Sequence, residues 1–280
     1  WKGGNDPRVR SIRPAPRRSK LKIVKRSLSS RMCAAPVFCS DRPVYYRLFG
    51  ILFLQGACFL GWLAKLHPPS FKLHFDHLNH QSSPSEKIDC FRSLFRGRTD
   101  VYPQRFESRK TGRAGYSPAC SNEWIRGVCE KPRIKCSNCP NQDWIPVTDR
   151  LIRWHLCGKD SSGMPFVMGV YPMLLDETCH FLALDLDGKG WQEDALALTG
   201  VVNSLELPVA LERSRSGNGA HLWFFFARAI GATEARRFGA HLLTEAMDTR
   251  PEIGLGSYDR MFPNQDTLPR GGFGNLIALP

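Results

Sequence analysis

The sequence predicts a mixed α/β fold in which helices lie against a sheet in two layers. Three observations lead there. From Asp149 onward, short apolar runs rich in β-formers alternate with segments of helical period. One of those runs, HFLALDLD (residues 180–187), ends in two acids spaced as strand neighbours. The basic excess is confined to one end: residues 1–47 hold thirteen Lys/Arg and two Asp/Glu, a net +11 of the formal +13, leaving +2 for all that follows. Nucleic-acid binding therefore cannot be inferred from the global charge, and the folded part has to be argued from its site. With 42% hydrophobic residues in 280, the chain can build the core of one or two domains. There is no internal repeat, Walker motif or dinucleotide fingerprint, which excludes repeat arrays, P-loop enzymes and Rossmann binders.

Residues 1–47, with RSIRPAPRRSKLKIVKR, read as a disordered arm, since proline and like charge oppose a packed core. A solvated tail is the plainer interpretation and a nucleic-acid-touching tail the alternative. LFGILFLQGACFLGWLA (48–64) has the length and flanks of a short membrane span or a signal-like segment, with a buried helix or a non-native translation as alternatives. HPPSFKLHFDHLNHQSSP (67–84) reads as linker; its four histidines, His67, His74, His77 and His80, have no cysteine or carboxylate spacing that supports a metal site. The chain begins with Trp1 and stops at Pro280 directly after an apolar strand, so it reads as a fragment of something longer.

A helix is predicted over 86–95, with Ile88, Phe91 and Phe95 on one side. LFRGRTDVYPQRF then supplies Arg96, Arg98 and Arg105 among aromatics, either for a nucleic-acid backbone or as a surface cap. Cys120, Cys129, Cys136 and Cys139 follow as C-x8-C-x6-C-x2-C. The last pair can nucleate a tetrahedral thiolate site for zinc, the longer loops bringing the other two; buried or disulfide-linked cysteines are the alternative. His155 is near enough in sequence to replace one ligand, although a core or surface histidine is the simpler reading. The remaining cysteines, among them Cys179, are ungrouped. Arg126, Lys131, Arg133 and Lys135 interleave the cluster as phosphate contacts or as a solvated basic loop. From Asp149 the predicted order is strand 166–171, strand 181–186, helix 193–205, strand 208–212, strand 221–226, helix 234–247 with Thr233 as N-cap, and strands near 257–262 and 275–279.

The chemistry gathers in three stretches. In a strand, Asp185 and Asp187 project together about 7 Å apart while Leu184 and Leu186 fill the other face. Two fixed carboxylates suit Mg²⁺ or Mn²⁺, hard cations that bridge to phosphates. In ERSRSGNGAHLWFFF (212–226), Gly217 and Gly219 allow a tight turn, and Arg213, Arg215, Ser216, Asn218 and His221 crowd it with donors, as a triphosphate requires. A β-hairpin with a chance histidine is the plainer alternative. The last stretch, SYDRMFPNQDTLPRGGFGNLIALP (257–280), brings Asp259 and Asp266 and a glycine-rich turn.

In that order, D-L-D, S-G-N-G-A-H-L-W and an acid-bearing strand resemble the archaeo-eukaryotic primase superfamily, and most closely the primase (primase-polymerase) domain of bacterial TOTE conflict systems. YPMLLDETCHFLALDLD, LERSRSGNGAHLWFFF, SYDRMFPNQDTLP, GGFGNLIALP, LFRGRTDVYPQRF and GYSPACSNEW all read like that group, covering about residues 85–280. The resemblance implies an RRM-like catalytic core over 149–280, preceded by a small cysteine-rich, zinc-binding segment within 85–148 and by the arm and linker, 1–84. It implies a metal-dependent, DNA-directed nucleotidyltransferase. Asp185 and Asp187 would hold Mg²⁺ or Mn²⁺, with Asp259 as third acid and Asp266 as the alternative. His221, Ser216 and Arg213, with Gly217, Asn218 and Gly219, would form the nucleotide site. A cytoplasmic, reducing location follows, which favours zinc over disulfides. Expected partners are a single-stranded DNA or RNA template, dNTP or NTP, and a helicase and nuclease of the same system, with no membrane partner. A metal-dependent nuclease can use the same carboxylates, and a non-catalytic zinc-containing nucleic-acid-binding module would use the cysteines and arginines alone.

Overall fold

A computed structural model of the chain describes residues 52–54, 78–79, 81–108, 110–250 and 255–280. The basic arm, His67, His74, His77, His80 and most of the apolar stretch 48–64 lie outside the described residues. Within that stretch, strand β1 (Leu52–Leu54) pairs antiparallel with Val209–Leu211, where the sequence had allowed a helix or a span. Among the described residues no helix is long and apolar enough to cross a membrane.

The sheet that carries the site has five antiparallel strands. Their order is β1, β6 (Val209–Arg213), β7 (Gly219–Gly231), β5 (Thr178–Asp187) and β8 (Tyr258–Phe262). Helix α3 (Trp191–Ser204) connects β5 to β6, and α4 (Ala232–Thr249) connects β7 to β8. The run β5-α3-β6-β7-α4-β8 is the β-α-β-β-α-β unit of ferredoxin-like folds. Alternation along β5 explains the packing. Leu182, Leu184 and Leu186 are fully buried with Leu198, Val202, Leu242 and Ala246 of the two helices. Phe181 and Ala183 point the other way, joined by Trp223 and Phe225 of β7.

That second face is covered, so the layers number three instead of the predicted two. Helix α1 (Pro84–Leu94) and α2 (Asp149–Cys157) supply Phe91, Leu94, Ile152 and Leu156 to the same cluster. Phe95 meets Trp223 and Phe225 edge-on, with ring centroids at 5.0 and 5.5 Å. A strand buried on both faces reads as a continuous apolar run, which is how LWFFF reads.

Several boundaries differ from expectation for local reasons. Helix α1 starts at Pro84 because Ser83 and Glu86 form a capping box around it. Helix α2, capped by Thr148 and closed by Gly158 in the left-handed region, was not anticipated. Thr233 is not the N-cap of α4: β7 runs directly into the helix, the cap is Gly231, and no side chain caps it. The strands expected at 166–171 and 275–279 shrink to β4 (Gly169–Val170) and β9 (Ile277–Ala278), which pair with each other. Phe166 N–H goes instead to the Gly158 carbonyl, and Met168 bridges to Gln104. Gln104 belongs to a hairpin absent from the sequence reading, β2 (Pro103–Glu107) with β3 (Ala114–Pro118).

Candidate active site

Register brings the chemistry together. Glu212 on β6 lies opposite His221 on β7, His221 opposite Asp185 on β5, and Asp185 opposite Arg260 on β8. Directly opposed residues share a face, so four adjacent strands present a row of alternating charge, Glu212, His221, Asp185 and Arg260. His221 Nδ1–H donates to Glu212 Oε2 at 2.9 Å, and its Nε2 stands 3.5 Å from Asp185 Oδ1. Trp223 Nε1–H donates to the same Glu212 oxygen at 2.8 Å. Burial works against a protonated His221. The hydrogen bond and charge of Glu212, with the charges of Asp185 and Asp187, outweigh it and hold the pKa above the ordinary histidine value. For Asp185, burial and the charges of Asp259 and Asp187 push the carboxyl up, against His221 and Arg260, which pull it down.

Of the two candidates for third acid, the structure brings Asp259 to the pair. The β5–β8 ladder slips between Asp185 and Leu186: Arg260 opposes Asp185 and Tyr258 opposes Leu186, so Asp259 is the extra residue of a bulge. Its side chain is 44% exposed and pairs with Arg260 at 2.6 Å, yet its charge reaches Asp185. Asp266 is instead paired with Arg236 of α4 at 2.5 Å. Ser257, just before β8, is anchored by buried Asp194 of α3, which accepts from its N–H at 3.0 Å and its hydroxyl at 2.6 Å. Asp187 is exposed at the end of β5, its N–H bonded to the Ser257 carbonyl. Among the described residues no three His, Cys, Asp or Glu side chains already stand close enough together to hold a metal ion. Asp185, Asp187 and Asp259 nonetheless fit a hard divalent cation chemically: all three offer carboxylate oxygen, and their mutual repulsion is what a cation would relieve.

The glycine-rich turn sits against the end of β5. Gly188 N–H donates to the Asn218 carbonyl, and Ser214 N–H to that of Gly219. Gly217 has φ +76°, where a side chain is strained. Gly219 opposes Asp187, and a Cβ on it would stand 2.4 Å from the Leu186 carbonyl oxygen. Arg213 folds back so that Nε and Nη2 both donate to the Gly217 carbonyl. Ser216 Oγ accepts from Asn218 N–H and shares a hydrogen bond with Ser214. The turn is thus a shaped loop with exposed Arg213, Arg215, Ser216 and Asn218 beside the carboxylates.

The cysteine segment is separate from this row. Cys120, Cys129, Cys136 and Cys139 carry free thiols and line one small pocket with Lys131 and Trp144. Side-chain amides tie its loops: Asn141 to the Val128 carbonyl, Gln142 to that of Cys136, Asn122 to that of Asn141. Trp144 meets Phe273 edge-on, and Phe273 stacks on Tyr171, joining the segment to the body. Of the basic residues interleaved here, Lys131 pairs with Glu123 and Arg133 with Glu130. His155 is no spare thiolate replacement. It is fully buried, accepts from Met168 N–H at Nδ1 and donates through Nε2 to the Pro280 carbonyl. Arg98 is likewise not a free surface cation: it is 8% exposed and bonded to Asp100 and the Gly272 carbonyl.

Sequence reasoning missed Glu212, Trp223, Arg260 and Asp194 as parts of the site. Glu212 had a signal: a turn at S-R-S-G-N pairs the acid that ends VALE with His221. A search of curated proteins finds no match. A family model described as the TOTE conflict system, Archaeo-Eukaryotic Primase domain, matches residues 86–280, a span that includes every candidate residue above. The chain therefore belongs to the family of archaeo-eukaryotic primase domains of TOTE conflict systems.

Proposed function

We propose that this chain is a metal-dependent, DNA-directed nucleotidyltransferase that joins nucleotides to a 3′-hydroxyl and releases pyrophosphate. Family membership suggests nucleotidyltransferase-type activity. The observation that carries the finer reading is the convergence of Asp185, Asp259 and His221 on three adjacent strands, with the donor-rich turn at their edge. Its strand order is compatible with an RRM-like catalytic core.

Asp185, Asp187 and Asp259 would hold Mg²⁺ or Mn²⁺, which when bound offsets charge on the transferring phosphoryl group and aligns its oxygens. Asp266, engaged with Arg236, is not assigned. His221, fixed by Glu212 through Nδ1, turns Nε2 toward the carboxylate side, where its protonated form, favoured by Glu212, would donate to triphosphate oxygen. Ser216 and the amides of Gly217, Asn218 and Gly219 line the turn where the phosphates would lie. Arg213 holds the turn by its Gly217 bonds and keeps Nη1 for a phosphate oxygen. Transfer of this kind depends mainly on positioning and charge stabilisation, and a preformed row of charges supplies both.

The four cysteines are assigned to a structural zinc ion with no open position and no part in the reaction. Residues 120–139 have little core of their own, and Asp143 N–H already approaches Cys120 Sγ at 3.5 Å. The partners on this reading are a single-stranded DNA or RNA template, dNTP or NTP, and a helicase and nuclease of the same system. The test is incorporation of labelled dNTP or NTP by the full chain on a single-stranded template, with and without primer, in Mg²⁺ or Mn²⁺. Incorporation is expected from wild type and not from Asp185→Ala/Asp187→Ala. A double variant extending at the wild-type rate would overturn the assignment. Strand cleavage without incorporation would identify a nuclease, and template binding alone a non-catalytic module.

A further inference from the structure

A second cavity opens at the far end of β5 from the carboxylates. Its edge residue His180 is five positions from Asp185, about 16 Å along an extended strand. The cavity measures about 510 Å³ and is walled by the last turns of α1, residues 97–99, β4 and His180. That volume is in the range of small-molecule sites.

A break in the sheet lies at His180, on its edge. The β5–β7 ladder passes from Cys179 opposite Ile230 to Phe181 opposite Phe225, so residues 226–229 of β7 stand against His180 alone. Irregularities of this kind re-aim side chains and recur beside functional sites. Arg96 reaches into the gap, its Nη2 donating to the Phe226 carbonyl at 3.0 Å.

Two polar atoms beside the cavity lack partners among the described residues. Arg96 Nε and His180 Nδ1 are both buried and have no hydrogen-bond partner. The neighbouring arginines of the cavity are neutralised, Arg92 by Asp149 and Arg98 by Asp100, whereas among the described residues no carboxylate pairs with Arg96. Arg96 keeps its charge despite partial burial. Burial, and then the Arg96 charge beside it, hold His180 below the ordinary histidine range, against the charge of Asp176. Buried polar groups in folded proteins are nearly always bonded, and a desolvated cation without counter-charge is costly. The Arg96 cation, with the His180 imidazole beside it, matches one phosphate group. A triphosphate would bring excess charge toward Asp89, which also lines the cavity. The remaining wall, Phe91, Ile152 and Val170, is apolar and suits a base.

We propose that this cavity is a second nucleotide site, taking a nucleoside monophosphate with its phosphate on Arg96 and His180 and its base against the Phe91 wall. It is independent of the carboxylate row and of any reaction there.

The test is calorimetric titration of the full chain with AMP, dAMP and inorganic phosphate, in buffer without Mg²⁺ or Mn²⁺ so that binding dependent on those ions is absent. AMP or dAMP is expected to bind wild type and Asp185→Ala alike, and at least tenfold more weakly to Arg96→Met. Leu174→Trp, which puts a larger side chain on the cavity wall, is expected to abolish binding with the far-UV circular dichroism unchanged. This second variant keeps the test decisive if Arg96→Met fails to fold. No binding to wild type, undiminished binding to either cavity variant, or loss in Asp185→Ala would overturn the proposal. Inorganic phosphate binding as tightly as AMP would overturn the assignment of a nucleoside.

Discussion

Replacing Glu212 by alanine removes one acceptor that serves two buried donors. Glu212 is 7% exposed, and a single carboxylate oxygen takes His221 Nδ1–H and Trp223 Nε1–H. Trp223 is wholly buried, so its indole N–H has no route to water, and leaving it unpaired costs about 1–3 kcal/mol. His221 loses a bond to a charged acceptor worth about 1.5–3 kcal/mol. The sum is about 3–5 kcal/mol, a large share of the roughly 5–15 kcal/mol that holds a domain folded. Glutamine keeps the oxygen and removes only the charge, at a cost of about 1–2 kcal/mol. Equilibrium urea unfolding of the full chain, followed by tryptophan fluorescence and circular dichroism, measures both. The expected order is wild type, Glu212→Gln, Glu212→Ala, with the last two about 2 kcal/mol apart. Alanine as stable as wild type, or glutamine as damaging as alanine, would refute the claim that one carboxylate fixes both rings.

Two further outcomes test the site's frame. Gly219→Ala is expected to destabilise by about 2–4 kcal/mol, because the carbonyl its Cβ would meet belongs to Leu186 of β5, which is held by strands on both sides. Gly217→Ala, strained only in φ and facing a movable Arg213, is expected to cost about 1 kcal/mol, and equal losses in the two would contradict the packing at Gly219. In native alkylation at pH 8 read by mass spectrometry, Cys90 and Cys179 should stay unmodified: burial pushes both thiols up to about 12, leaving about 10⁻⁴ as thiolate. The partly exposed Cys120, Cys129, Cys136 and Cys139 should react in metal-free protein and be protected by added zinc; Cys90 labelling as fast as these would show that α1 is not packed as described.

Strands β5 and β7 and helices α3 and α4 were legible because their burial pattern is local. Leu182, Leu184 and Leu186 alternate with residues of the other face, and the α4 segment repeats its apolar positions at helical spacing. The third layer was not legible. Nothing within LWFFF says whether the face of Trp223 and Phe225 meets water or α1, since that depends on where Phe95, some 130 residues earlier, is brought by the chain. Helix α2 was lost for a related reason, being short and identified mainly by its caps, Thr148 and Gly158. The short pair β4–β9 was overextended because an apolar run gives propensity without saying which backbone groups bond elsewhere.

The third acid shows how much of the site depends on a single inserted residue. Had β8 paired with β5 without interruption, Arg260 opposite Asp185 would place Asp259 opposite Leu186, on the face that α3 and α4 bury. A carboxylate there would be desolvated among leucines, at a cost that opposes the uninterrupted register. The bulge removes that conflict. Tyr258 takes the place opposite Leu186 and packs with the helix-side core, Met261 keeps its place opposite Leu184, and Asp259 is released to the side of Asp185. The hold of Asp194 on Ser257 fixes the strand just ahead of the slip, so two buried hydrogen bonds from α3 help to place an acid that touches neither. In Y-D-R-M-F the clue was the contradiction itself: strict alternation assigns Asp259 to the buried face with Met261, and a charged residue at a core position in an otherwise convincing strand argues for a break in register at that residue. Asp266 carries no such contradiction, being beyond the strand and within reach of Arg236, so its charge is accounted for without the site.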